Sequence, residues 1–221
     1  MKRLVCFLPA LLAGLSSHAQ TAPRIPTTGR TVADFIPARY DTLPAGRAVG
    51  DLNRDGRPDV ALVLRSKAEE ASSEDNLPAR RLLVLFGTPT GYTLAAQSAK
   101  AVLCRECGGI YGDPFAGVTI SKGVLSVDHY GGSSWRWSIT SKFRYQQGDF
   151  YLIGETESSG RNDGDCPGLN GPAGWNYRDA NLVTGAYEVK KVSEDCKLLV
   201  DKKGRSKPQP LRKLTSYAPV P

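Results

Sequence analysis

The sequence predicts an all-β, mainly antiparallel domain, a sandwich or curved sheet of about seven to nine strands with long loops. Three observations carry that expectation. No stretch repeats apolar residues at helical spacing over any length. The apolar runs are short, rich in Val and Leu, and bounded by Gly, Pro, Asn and Asp. Two pairs of runs are joined by short glycine-containing spacers, SKG and QQGD, the signature of β-hairpins.

Residues 1–19, MKRLVCFLPALLAGLSSHA, combine two cations (Lys2, Arg3), an apolar stretch over 4–15 and small residues at Ser17 and Ala19. This is the three-part pattern of a secretory signal peptide cleaved after Ala19. The apolar stretch falls well short of the roughly 20 residues that span a bilayer. Export to the periplasm or the extracellular medium is expected, with no transmembrane segment in the mature chain. Loss of Lys2 and Arg3 lowers the formal charge from +7 to +5. The remainder suits one domain of about 200 residues. It divides into an extended segment over 20–45, a β domain over 46–201 and a basic tail over 202–221, where KKGRSKPQPLRK carries six cations and no acid.

Taken in order, TVADF in the first segment allows a short helical turn. VALVL (60–64) and RLLVLF (81–86) read as neighbouring strands, and the charged stretch between them, including EEASSED, reads as a solvated loop tip. GTPTGY is a turn, and YTLAAQSAKAVL is compatible with either a strand or a short helix. GVTI with VLSVDHY, and SWRWSITSKFRY with FYLIGET, form the two hairpins. A long Gly- and Pro-rich loop, RNDGDCPGLNGPAGWNYRDA, precedes the strand candidates LVTGAYEVKKV and CKLLV.

The stretch before VALVL is DLNRDGRPD. Asp51, Asn53 and Asp55 alternate, Gly56 follows, and Asp59 closes the set. Calcium takes six to eight oxygens at about 2.3–2.6 Å, and alternating oxygen side chains on a sharply bent backbone place them around one point. The main-chain carbonyl of Arg57 is the expected ligand at the seventh position. A metal-free Asp/Asn turn would use similar residues. Four oxygen side chains at ligand spacing around a glycine favour the ion. The twelfth position, a bidentate glutamate in an EF-hand, is Leu62, and Pro58 followed by VALVL suits a strand rather than a helix. Residues 50–64 instead resemble the short calcium loops of integrin-type FG-GAP and VCBS repeats, where D-x-[DN]-x-D-G-x-x-D sits in a turn leading into a strand. The resemblance implies a structural Ca2+ that neutralises the acids and pins the strand's entry. With a single such loop and about 40–45 residues needed per blade, a complete propeller does not fit the chain.

Four cysteines remain after export, Cys104, Cys107, Cys166 and Cys196. An even count in an exported chain argues for disulfides, with Cys104 to Cys107 and Cys166 to Cys196 the favoured pairing. Zinc would want a second C-x-x-C, and a thioredoxin-like motif would open a helix, whereas CREC runs into Gly108 and Gly109.

CRECGGIYGDPF and HYGGSSWRW together are similar to segments of a group of uncharacterised exported bacterial proteins, C-x-x-C-G-G…G-D-P-F followed by Y-G-G-S-x-W-R-W. The likeness spans about residues 50–145 and implies a shared β domain. Along SWRWSITSKFRY, alternation puts Trp135, Trp137, Ile139, Phe143 and Tyr145 on one face and Arg136, Thr140, Lys142 and Arg144 on the other. The first face reads as core rather than as a sugar-stacking platform. Arg136, Lys142 and Arg144 make the second a candidate binding face, with Glu155 and Glu157 balancing it across the hairpin.

Catalytic constellations are thin. His129 could serve with Asp128 and Ser133 or Ser134, but adjacent strand residues point to opposite faces and no G-x-S-x-G is present. Phosphate-cradling and dinucleotide motifs are absent. The expectation is therefore a non-catalytic, calcium-stabilised binding or structural module. Its expected partner is anionic envelope polysaccharide or another exported protein, and not nucleic acid. The alternatives are an envelope hydrolase centred on His129 and a thiol protein using Cys104 and Cys107.

Overall fold

The computed structural model describes residues 23–73 and 77–221; the signal-peptide expectation for residues 1–19 lies outside them. Both glycine spacers form two-residue hairpin turns. Lys122 and Gly123 join β6 (Phe115–Ser121) to β7 (Val124–Gly132), and Gln147 and Gly148 join β8 (Trp135–Gln146) to β9 (Asp149–Arg161). In each turn both central residues have positive φ, 52° and 76° in the first and 52° and 80° in the second. Such turns match the twist of the strands that they connect.

These four strands form one side of a seven-stranded antiparallel sheet. β12 (Asn176–Asn181), β13 (Ala186–Val192) and β14 (Leu198–Arg205) complete it in the order β14-β13-β12-β9-β8-β7-β6. A five-stranded antiparallel sheet is built from β1 (Thr28–Gly29), β2 (Tyr40–Gly50), β3 (Asp59–Ser66), β4 (Arg81–Thr88) and β5 (Gly91–Ser98), in the order β1-β5-β4-β3-β2. A small ribbon pairs β10 (Asp165–Cys166) with β11 (Gly171–Pro172). The fold is the all-β antiparallel arrangement expected. The strands outnumber the seven to nine predicted because β1, β2 and the ribbon lie in segments that look like loop, and β12 follows directly on Gly- and Pro-rich sequence.

The main core lies between the sheets, where Leu43, Ala61, Val63, Leu82 and Val84 meet Val118, Leu125, Val127, Phe143, Phe150 and Leu152. A second cluster covers the far face of the smaller sheet, with Ile25 and Phe35 packed on Val60, Leu62, Leu64, Leu83 and Leu85. β3 and β4 are thus buried on both faces, which is why their sequences are unbroken apolar runs rather than alternating ones. The 20–45 segment supplies this cover. It contains β1, a 3-10 turn over Val32–Phe35 and the first part of β2.

The basic region from Lys202 is not a separate tail. Lys202 to Arg205 complete β14, and further on Leu214 and Tyr217 are 0% and 1% exposed within the main core. The expected boundary at 201/202 therefore falls inside a strand. Both favoured disulfides, Cys104–Cys107 and Cys166–Cys196, are present. The second ties the ribbon to the turn between β13 and β14. Among the described residues no helix is long and apolar enough to cross a membrane.

Candidate functional sites

The acidic loop links β2 to β3 and turns tightly on its own side chains. The Asp51 carboxylate accepts hydrogen bonds from the amides of Arg54 (2.6 Å), Asp55 (3.2 Å) and Gly56 (3.0 Å). Asn53 Oδ1 accepts from the Asp55 amide at 3.0 Å, and Asp55 Oδ1 from the Arg57 amide at 2.8 Å. Arg54 and Gly56 have φ of 64° and 80°, and it is these left-handed residues that close the bend. The Arg57 amide holds the exposed Asp55 carboxyl below its ordinary range. The Arg57 guanidinium also pairs with Asp55 at 3.3 Å.

Asp59 behaves differently. Its side chain is fully buried and accepts from three amides, Leu52 at 2.7 Å and Asn53 at 3.3 Å on one oxygen and Gly87 at 2.9 Å on the other. It staples the loop to the end of β4. Burial pushes its carboxyl above the ordinary range despite these donors, and the charge of Asp55 adds to the rise. The loop also touches the other sheet, since Gly50 abuts Ile120 and the Arg54 guanidinium lies over Gly123 in the β6–β7 turn. It therefore sits where the outer strands β2 and β6 of the two sheets meet.

The donor set fits calcium in chemistry: hard oxygens from Asp51, Asn53 and Asp55 and the Arg57 carbonyl on a bend that is already made. Asp51 and Asp59 each have both oxygens engaged by main-chain amides; what sets Asp59 apart is its full burial and its bond to Gly87, so it contributes to the loop first as a staple. Among the described residues no three His, Cys, Asp or Glu side chains converge as a metal-holding group.

No protein-family model, no curated protein and no solved structure matches this chain.

His129 is 2% exposed, and its Nε2 accepts the Leu103 amide at 3.2 Å. Burial, with the nearby Arg80 charge, lowers its pKa to about 4, Asp113 opposing. Asp128 lies on the opposite face, bonded to Thr140 at 2.6 Å. The geometry does not assemble a base with an orienting acid and a nucleophile at an accessible point. Beside His129 lies an unforeseen cluster in which the buried Arg80 pairs through Nε with the buried Glu69 at 2.8 Å and through Nη2 with the exposed Asp113 at 2.6 Å. Glu69 was expected at a solvated loop tip; its side chain is 0% exposed. Nothing in its local sequence separates it from its exposed neighbour Glu70.

Each cation of the candidate binding face has an internal partner. Arg136 reaches the Gly132 carbonyl at 3.1 Å and lies 4.8 Å from the centre of the Tyr111 ring. Lys142 donates to Thr156 at 3.3 Å, and Arg144 donates to Gln146 at 2.8 Å. Glu155 and Glu157 do not balance this face. A bulge between β8 and β9 pairs Lys142 with Gly154 but Phe143 with Leu152, leaving Ile153 extra. The parity of β9 flips there, so Phe150 and Leu152 point inward before the bulge and Glu155 and Glu157 point inward after it. Gly154, a lone glycine inside a strand pattern, is the signal that could have marked it.

Beyond the bulge the inner face runs past the core and opens into a cleft of about 320 Å³. Trp137, expected in the core, lines this cleft, and Trp135 is 41% exposed. Glu157, Ser159, Asn176, Arg178 and Lys191 are among the other lining residues. Burial, then the charge of Glu155, pushes the Glu157 carboxyl above its ordinary range. Glu155 itself is taken up by the Tyr217 hydroxyl and by Arg212.

Proposed function

We propose that the protein is an exported, non-catalytic β domain, stabilised by one calcium ion in the 51–59 loop, that serves as a binding module for anionic envelope polymers. The observation that carries this reading is the loop itself. Its oxygen side chains already wind the backbone into a tight bend at the junction of the two sheets, where a bound cation would act on both. When bound, the ion supplies charge neutralisation and no bond-making chemistry. Asp51, Asn53, Asp55 and the Arg57 carbonyl would hold it, while Asp59 fixes the loop to Gly87. Two disulfides, together with the leader expected over residues 1–19, suit an oxidising compartment. The buried, singly bonded His129 supports binding over hydrolysis.

Retention of the mature chain on immobilised hyaluronate and on uncharged dextran, at physiological ionic strength in millimolar calcium, tests the partner class. Retention by hyaluronate alone is expected. Passage through both unretained contradicts the anionic partner.

A further inference from the structure

We infer that the inner-face cleft is the ligand site, and that it takes a short acidic oligosaccharide segment lying across the strands, its carboxylate held by Arg178 and Lys191 and a ring laid against Trp137. This rests on, and sharpens, the binding-module reading, and it moves the site from the outer cations of β8 to the opposite face of the sheet.

Two adjacent cross-strand rows build the cleft floor. One runs Trp137, Ser159, Asn176, Lys191 and the other Ile139, Glu157, Arg178, Val189, each residue directly opposite the next across β8, β9, β12 and β13. Four strands at ordinary spacing put roughly 14 Å between the ends of a row. An aromatic wall therefore stands at one end, hydroxyl- and amide-bearing side chains in the middle, and cations towards the other end. Among the described residues, neither Arg178 nor Lys191 has an ion pair. The outer-face cations, by contrast, all have internal partners.

Arg178, which stands opposite the Glu157 carboxyl, and Lys191 offer cationic donors to an anion, and a planar guanidinium suits a carboxylate. The indole supplies a flat apolar face of the kind that the less polar side of a sugar ring covers. Glu157, Ser159 and Asn176 offer hydrogen-bonding groups to ring hydroxyls between these ends. Glu157 is the acidic side chain lining the cleft, and Glu155 lies beside it, engaged by Tyr217 and Arg212. The cleft volume is at the small end of the roughly 300–1,000 Å³ of ligand pockets, which fits a short segment or chain end of a polymer. Val220 and Pro221 stand at the rim.

Titration of the calcium-loaded mature protein with trigalacturonate and with its methyl ester, read by calorimetry and tryptophan fluorescence, tests the assignment. The acid binds and the ester does not. R178Q/K191Q weakens binding by at least about tenfold through loss of charge-assisted contacts, with its thermal midpoint checked against the parent. W137F also weakens binding and removes most of the fluorescence change, while R136Q/K142Q/R144Q stays within about twofold of the parent because it leaves the cleft intact. Equal binding of the ester, or unchanged affinity in R178Q/K191Q, overturns the cleft. If the outer-face variant loses binding instead, the anionic-partner reading stands and only the cleft falls. If neither acid nor ester binds, both fall.

Discussion

The His129 imidazole shows how burial changes a residue's chemistry. Its Nε2 accepts an amide while Nδ1 is buried without a partner, and its pKa falls to about 4. Because the folded pKa lies below the unfolded value of about 6.5, the unfolded chain binds this proton first as pH drops. The stability associated with neutral His129 is complete above about pH 6.5 and is lost between there and about pH 4, by up to about 3 kcal/mol. Urea midpoints at pH 7 and pH 4.5 check this. H129Q, which keeps an acceptor near the Leu103 amide but cannot titrate, loses much less across that window than the parent. An equal loss in both contradicts the assignment. Such features were only partly legible. Alternation separated His129 from Asp128 correctly, and the cysteine pairs were read correctly from their count and spacing. Glu69 and Arg80 were not, since a charged residue in a charged stretch carries no mark of the partner that buries it. That partner set, Arg80 with Glu69 and Asp113, comes from segments far apart in the chain.

At the scale of elements, sequence pattern was most informative where an element's environment was uniform. The two-residue turns and the doubly buried β3 and β4 follow from glycine placement and unbroken apolar runs. β9 defeated the pattern because one extra residue, Ile153, reverses which face its later side chains occupy. Trp137 was sorted to the correct face, but that face continues past the smaller sheet, so an inward residue there meets a cleft rather than core. The two disulfides act on elements of different reach. Cys166–Cys196 spans a separation of 30 residues and Cys104–Cys107 only 3. On chain entropy alone, C166S/C196S costs about 3–4 kcal/mol and C104S/C107S about 2 kcal/mol. Denaturant unfolding of the two double variants checks the order. A larger loss in C104S/C107S would show that the short bridge does more than restrict the unfolded chain, for instance by holding the 3-10 segment Arg105–Tyr111 against Gly131.

At the scale of the whole molecule, the two sheets share one core between them and meet along β2 and β6, where the acidic loop is placed. A cation there would couple the entry of β3, the Gly87 end of β4 and the β6–β7 turn, so its binding is expected to stabilise the whole sandwich rather than the loop alone. The fold class and the loop were visible in sequence. The cleft was not, because it is made by four strands whose register depends on a bulge and by the chain's last segment folding back on the core. Thermal unfolding of the mature, disulfide-intact protein in chelator and then in rising calcium reads directly whether an ion in this loop is linked to folding. Binding at 100 times the dissociation constant adds about 2.7 kcal/mol, or about 5–10 °C in midpoint for a domain of this size. A midpoint that rises with calcium in the parent and stays fixed in D51A/D55A is the predicted result; a parent midpoint that calcium leaves unchanged contradicts the account.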